Sequence, residues 1–191
     1  MADDRAARPL RRALFVDRDG TVNVDLHYLK DAERLEVLRG VGNGIRLAHD
    51  HGYLIVCVTN QSGIERGFYT AEDVGRIHVR LNERLADERA HIDAFYYCPH
   101  APEAGCECRK PKTRLFEDAR RDWNLDFATS AIVGDRAIDI EAGRRLGLLT
   151  ALVPPRHSDG PVADEVAAGG IVPDLRALSF ESAVLRILAR G

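Results

Sequence analysis

Four short apolar runs each stop abruptly at a polar cluster, and amphipathic stretches separate them. Ala13-Leu-Phe-Val16 stops at Asp17-Arg-Asp-Gly-Thr21, and Tyr53 to Val58 stops at Thr59-Asn-Gln-Ser-Gly63. Ala94 to Tyr97 runs into Cys98-Pro-His100, and Ala131-Ile-Val133 into Gly134-Asp-Arg-Ala-Ile-Asp139. Apolar runs this short, bounded by polar residues, are the pattern of buried strands. Leu148 to Val153 reads as a fifth strand. Helical spacing is expected over Val41–His51, Ala71–Ala90, Arg114–Trp123, Ile138–Leu146 and Phe180–Ala189. Gly52 and Gly147 end two of these helices, and Thr70 with Asp73 three residues on caps the second. In Ala71–Ala90, Val74, Ile77, His78, Leu81 and Leu85 recur at helical spacing.

Strands alternating with helices predict right-handed crossovers and an α/β fold, a Rossmann-like parallel sheet flanked by helices. Such sheets bind ligands beyond the carboxyl ends of their strands. All four polar clusters fall there, so they can converge on one crevice. A chain of 191 residues suits one domain. The expected division is a tail over residues 1–12 and a domain over 13–191, with an inserted metal loop at 98–108. The stretches Cys98–Lys112 and Pro154–Pro161 are the loopiest.

Acids exceed bases, 30 against 27, for a net charge of −3, which argues against nucleic-acid binding by bulk charge. The longest strongly apolar run, Tyr53 to Val58, is too short to span a membrane. Met1 to Arg12 carries charge and no apolar signal core, so a cytoplasmic protein is expected.

Asp17 and Asp19, just past a buried strand, are oxygen ligands suited to Mg²⁺. They also suit covalent phosphoryl transfer, one carboxylate attacking while the other moves a proton. A solvated Asp-x-Asp-Gly turn is the plainer alternative. Thr59 and its polar neighbours can cradle phosphate or form an ordinary turn. Lys110 can neutralise a phosphoryl transition state or sit in solvent. Asp135 can complete a metal shell, and Asp139 suits helix capping or support of that shell.

Four cysteines divide three to one: Cys57 lies in an apolar run and reads as core. Cys98-x-His100-x5-Cys106-x-Cys108 is a closed set for tetrahedral Zn²⁺, with a disulfide or free thiols as alternatives. Zinc there would be structural and would fix the loop presenting Lys110.

In this order, Asp17-x-Asp19-Gly-Thr21, Thr59, Lys110 and Gly134-Asp135-x-x-x-Asp139 resemble the haloacid dehalogenase-like phosphatases, over roughly Leu14 to Leu152. The resemblance implies Asp17 as nucleophile and Asp19 as general acid/base. It implies Mg²⁺ on Asp17, the Asp19 carbonyl and Asp135, with Thr59 and Lys110 holding the phosphoryl group. The cysteine loop narrows the likeness to the branch, without a large cap, that contains heptose bisphosphate and histidinol-phosphate phosphatases. In that branch Asp25, Leu26, His27, Tyr28, Thr59, Asn60, Gln61, Ser62, Arg109, Lys110 and Arg136 would face substrate. Arg109 and Arg136 suit a second phosphate. Lys112-Thr-Arg-Leu-Phe116 departs from the heptose pattern, and Gly134 to Asp139 resembles the histidinol enzymes.

The leading expectation is a Mg²⁺-dependent phosphatase that removes the 7-phosphate of D-glycero-D-manno-heptose 1,7-bisphosphate through an aspartyl-phosphate. Histidinol-phosphate phosphatase is the alternative, and a non-catalytic zinc module a third. The expected partner is a small phosphorylated sugar, with no nucleic acid, no membrane and a monomeric state.

Overall fold

The computed structural model describes residues 9–156 and 170–190. The expected tail therefore lies outside them up to residue 8, as does the loop read over Pro154–Pro161 beyond residue 156. Six strands form one parallel sheet: β1 (Arg12–Val16), β2 (Tyr53–Asn60), β3 (Ala94–Cys98), β4 (Ala131–Gly134), β5 (Leu149–Leu152) and β6 (Leu175–Arg176). Their order is β3-β2-β1-β4-β5-β6. The order reverses at β1, which pairs with β2 on one side and β4 on the other. This switch point opens a crevice at the carboxyl ends.

Among the described residues, five α-helices cover the sheet: α1 (Val41–Asp50), α2 (Ala71–Ala86), α3 (Arg114–Trp123), α4 (Ala137–Leu146) and α5 (Phe180–Leu188). Successive strand residues serve opposite faces. Leu14, Val16, Ile55 and Cys57 pack with Ile45, Ile77, Leu81 and Phe180 of α1, α2 and α5. Ala13, Phe15, Val56 and Val58 pack with Phe116 and Ala119 of α3 and Ala142 of α4. Both faces are buried, which is why the strands read as continuous apolar runs. Cys57 is fully buried in the first of these cores. Gly44 lets α1 approach α5: a Cβ there would come 2.8 Å from the Phe180 ring.

Most boundaries fall within a residue of the sequence reading, two differ by more, and one strand was not read. α2 stops at Ala86, not Ala90. Arg89 turns left-handed at φ 57, and the Ala90 N–H returns to the Leu85 carbonyl at 3.1 Å. β2 runs on through Thr59 and Asn60, because β3 continues beside it and pairs Asn60 with Cys98. β6 has only two residues and no apolar run to announce it. It is anchored by Asp174, which accepts from the Thr150 N–H at 2.8 Å and the Thr150 hydroxyl at 2.7 Å.

The connection over residues 17–40 contains one short 3-10 turn, Ala32–Arg34, and residues 99–113 another, Pro102–Ala104. Among the described residues, no helix is long and apolar enough to cross a membrane.

Candidate active site

β1 leads into Asp17, β4 leads into Asp135, and the first turn of α4 presents Asp139. The loop after β3 returns Lys110 to the same point. Lys110 Nζ lies 2.8 Å from Asp17 Oδ1 and 2.7 Å from Asp139 Oδ1, and it donates to the Val58 carbonyl at 2.6 Å. All four side chains are buried. Oxygens of Asp17, Asp135 and Asp139 lie within 4.8 Å of one another. Three carboxylates thus share one lysine, an arrangement short of positive charge.

The electrostatics follow from burial. Burial pushes the Asp17 carboxyl up to about 6, although Lys110 beside it pulls the other way. Burial, with Asp17 and Asp139 as charged neighbours, also holds Asp135 well above the usual carboxylate range. Burial alone would lower the Lys110 ammonium, but Asp139 and Asp17 outweigh it and raise it. Asp135 Oδ1 accepts from the Thr21 hydroxyl at 2.8 Å, while its buried Oδ2 meets no hydrogen-bond donor. An orphaned buried carboxylate oxygen beside a second carboxylate fits a hard divalent cation.

Two glycines permit this crowding. Gly20 has φ +87, and a Cβ there would lie 2.4 Å from Asp135 Oδ2. A Cβ on Gly134 would lie 2.4 Å from Asp139 Cβ. Asp139 also caps α4, its Oδ2 accepting from the Arg136 N–H at 3.1 Å. It therefore both caps the helix and supports Lys110.

Asp19 sits in a separate polar knot. Its Oδ2 accepts from Arg18 Nη2 at 2.8 Å and Gln61 Nε2 at 2.9 Å, and its Oδ1 from Asn23 Nδ2 at 3.0 Å. Burial would raise the Asp19 carboxyl, but Arg18 together with the Asn23 and Gln61 amides outweighs burial and lowers it. Gln61 also donates to the Thr59 hydroxyl at 2.9 Å, and its Oε1 accepts from Arg18 at 3.0 Å and Tyr69 at 2.8 Å. Arg18 is 1% exposed and faces His78 Nε2 at 3.4 Å. His78 stacks on Phe95 at 4.1 Å, consistent with its place on the buried face of α2.

Arg18, Asn23 and Tyr69 were not singled out by sequence reasoning. One signal was available for Arg18, a cation lying between two acids. Gly63 is a fainter signal for Tyr69, whose ring a Cβ would approach to 2.3 Å.

The remaining expected contacts lie at the end of β2, on the segments that follow β1, β2 and β3, and at the start of α4. Asn60 brackets the Lys110 backbone, accepting from its N–H at 3.0 Å and donating to its carbonyl at 3.3 Å. Arg109 donates to the His100 carbonyl at 3.1 Å, and the Ser62 carbonyl accepts from the Arg66 N–H at 3.1 Å. Arg136 is exposed at the start of α4. Asp25 Oδ1 accepts from the His27 N–H at 2.6 Å, and His27 is left-handed at φ 62. Leu26 packs against the core. The exposed Tyr28 and Phe68 rings meet edge to face at 4.5 Å.

Cys98 at the end of β3 meets His100, Cys106 and Cys108 from the loop that follows. Cys98 Sγ is 3.0 Å from Cys108 Sγ and 3.5 Å from Cys106 Sγ, and Cys106 and Cys108 are 3.6 Å apart. His100 Nδ1 lies 3.6 Å from Cys98 Sγ and 3.2 Å from Cys108 Sγ. All four cysteines are free thiols. Sulfurs held at 2.3 Å from a tetrahedral zinc stand about 3.8 Å apart, so the cluster is close to the size zinc needs. Lys112 ties the loop down by donating to the Cys106 carbonyl at 2.7 Å.

Comparison with known proteins bears on the family and the fold. The HAD-hydrolase-like family model matches residues 107–178. The D-glycero-beta-D-manno-heptose-1,7-bisphosphate 7-phosphatase of Haemophilus ducreyi is 37% identical over 150 residues, covering 75% of this chain and 82% of that protein. The enzyme of that name from Vibrio cholerae is 39% identical over 148 residues, covering 74% and 80%. The crystal structure of D,D-heptose 1,7-bisphosphate phosphatase from B. bronchiseptica, complexed with magnesium and phosphate, superposes with a TM-score of 0.82 at 28% identity. That match covers 94% of this chain and 99% of the other. The fold, the acid centre and these relatives agree: the chain belongs to the haloacid dehalogenase-like phosphatases, in the branch of the heptose bisphosphate phosphatases.

Proposed function

We propose that the chain removes the 7-phosphate of D-glycero-D-manno-heptose 1,7-bisphosphate through an aspartyl-phosphate on Asp17. The observation that carries this reading is the buried trio Asp17, Asp135 and Asp139 around a single Lys110, with Asp135 Oδ2 unsatisfied. Mg²⁺ would be held by Asp17, Asp135 and the Asp19 carbonyl. When bound, it supplies charge neutralisation between the carboxylates and the phosphate.

Asp17 attacks phosphorus, and the bond to the sugar C7 oxygen breaks. Asp19 delivers a proton to that oxygen. Water then cleaves the aspartyl-phosphate while Asp19 takes the water's proton. Clamped by Arg18, Asp19 is ionised, which is the state the second step needs. An arriving phosphate dianion raises the pKa of a neighbouring carboxylate, which favours its protonation for the first step. Lys110 and Thr59 hold the phosphoryl oxygens, and Asn60 keeps the Lys110 backbone in place. Asp25, Leu26, His27, Tyr28, Gln61 and Ser62 form the wall on the sugar side.

Structural Zn²⁺ on Cys98, His100, Cys106 and Cys108 would keep Arg109 and Lys110 over the acids. We read residues 13–191 as one monomeric domain with this loop at 98–108, working in the reducing cytoplasm where such thiolates persist. The half-buried Arg109 and the exposed Arg136 suit a second phosphate better than the amine of histidinol phosphate, and the relatives' names point the same way. Purified protein with Mg²⁺ and Zn²⁺ is to be assayed on both substrates. A kcat/KM at least tenfold higher on the heptose bisphosphate is expected. The reverse ranking overturns the substrate, and no hydrolysis of either overturns the reading.

A further inference from the structure

A third cluster lies at the opposite end of the strands from the acids. His49 is in the last turn of α1, and His91 and Asp93 lead into β3. His49 Nε2 is 2.9 Å from Asp93 Oδ2, and His91 Nε2 is 3.4 Å from Asp93 Oδ1. The two imidazoles stack with centroids 4.5 Å apart and planes 28° apart, so both Nε2 atoms face one carboxylate. One donor atom from each residue lies within 4.8 Å of the others.

A simple tether between α1 and β3 needs only the His49–Asp93 pair. His91 adds nothing to such a tether. Its side chain is 59% exposed, yet it presents the same nitrogen to the same carboxylate. Asp93 is itself oriented by the Ile55 N–H, which donates to its Oδ2 at 2.8 Å. A carboxylate that ligates a metal is usually itself held by such a hydrogen bond. Two nitrogens and one oxygen suit a borderline cation such as Zn²⁺ and disfavour Mg²⁺, which seeks oxygen.

We propose that His49, His91 and Asp93 form a surface site for a divalent transition-metal cation, with water completing the tetrahedron. The site is independent of the acid and cysteine clusters. Filling it joins α1, β2 and the lead-in to β3, far from the chemistry, so it stabilises the fold without altering turnover.

The test uses full-length protein whose cysteine cluster already holds zinc, with Mg²⁺ in the buffer. It is dialysed against micromolar free Zn²⁺ and its zinc is counted. Wild type is expected to take up one equivalent more than His91→Ala, with equal phosphatase activity in both. Because His91 is exposed, that variant should fold normally. In parallel, the imidazole ¹⁵N resonances of His49 and His91 should shift together as zinc is added. Equal zinc content in wild type and His91→Ala, or unmoved His49 and His91 resonances, overturns the proposal.

Discussion

Asp17 and Asp135 directly follow β1 and β4 and Asp139 lies in the first turn of α4, whereas of Cys98, His100, Cys106 and Cys108 only Cys98 belongs to a strand, at the end of β3, and the others follow along a loop with one short 3-10 turn. The first cluster is built by the sheet. Parallel pairing of Val16 with Val133 brings the ends of β1 and β4 together before any ligand arrives. The sheet thereby forces like charges close, and Lys110 offsets part of the cost. Beyond Cys98, which the sheet holds, the second cluster has little regular structure. Its order rests on the four ligands themselves, on the pairing of Cys98 with Asn60, on Arg109 at the His100 carbonyl and on Lys112. The two meet in Lys110, which follows Cys108 by two residues and ends between Asp17 and Asp139. Strand-built sites are preorganised and strained, while loop-built sites depend on what they bind.

Four experiments can break or sharpen this contrast. The largest expected effect is from Asp17→Asn, which should lower turnover about 10⁴-fold or more if Asp17 is the nucleophile. Zinc content should not change, because the clusters are held separately. Retained turnover would remove Asp17 from the reaction.

Lys110→Met comes next. It leaves three buried carboxylates without their cation, and should cost about 3–5 kcal/mol in urea unfolding with chelator present. Adding Asp17→Asn to it should recover part of that loss. A neutral effect would mean that the sheet tolerates the acids unaided.

Cys108→Ser should release zinc and let the Lys110 loop move. A shift of about 1 Å in Lys110 can cost about 10²-fold in kcat/KM. Unchanged kcat/KM in verified zinc-free protein would show that the acids hold Lys110 without the cysteine loop.

The smallest effect is in pH. Asp17 titrates at about 6, raised by burial, so in metal-free protein it binds its proton more tightly folded than unfolded. Its contribution to stability therefore falls as pH rises from the unfolded carboxylate value through about 6. Mg²⁺ needs the ionised form, so its stabilising effect should grow over the same window. Thermal melts with and without Mg²⁺ at about pH 5 and about pH 7.5 measure this, with a change of about tenfold in apparent affinity expected. A Mg²⁺ effect that is flat with pH would place the metal elsewhere.

Much of the acid centre was legible because its spacing is local. Asp17 and Asp135 each follow an apolar run, and the strand-end rule places them in one crevice. Lys110 was legible only through resemblance, since nothing local distinguishes it from a solvated lysine. Arg18 shows the limit more sharply. Its burial depends on Gln61, Tyr69 and His78, which lie 43 or more residues away. Likewise His49 and His91 carry no common motif, and meet only because α1 ends where β3 begins. β6 is invisible for a related reason: two residues cannot display a period, and Asp174 with Thr150 holds them.

The sequence by itself determined the alternation of strands and helices, the parallel sheet, the polar strand ends and the four-ligand loop, because these depend on periodicity and short spacing. The tertiary structure decided which charges are paired and which are stranded. Lys110 between two acids, Arg18 on Asp19 and the unsatisfied Asp135 Oδ2 are consequences of burial. Burial is the sum of contacts from distant segments, and it sets the local dielectric that makes those charges act.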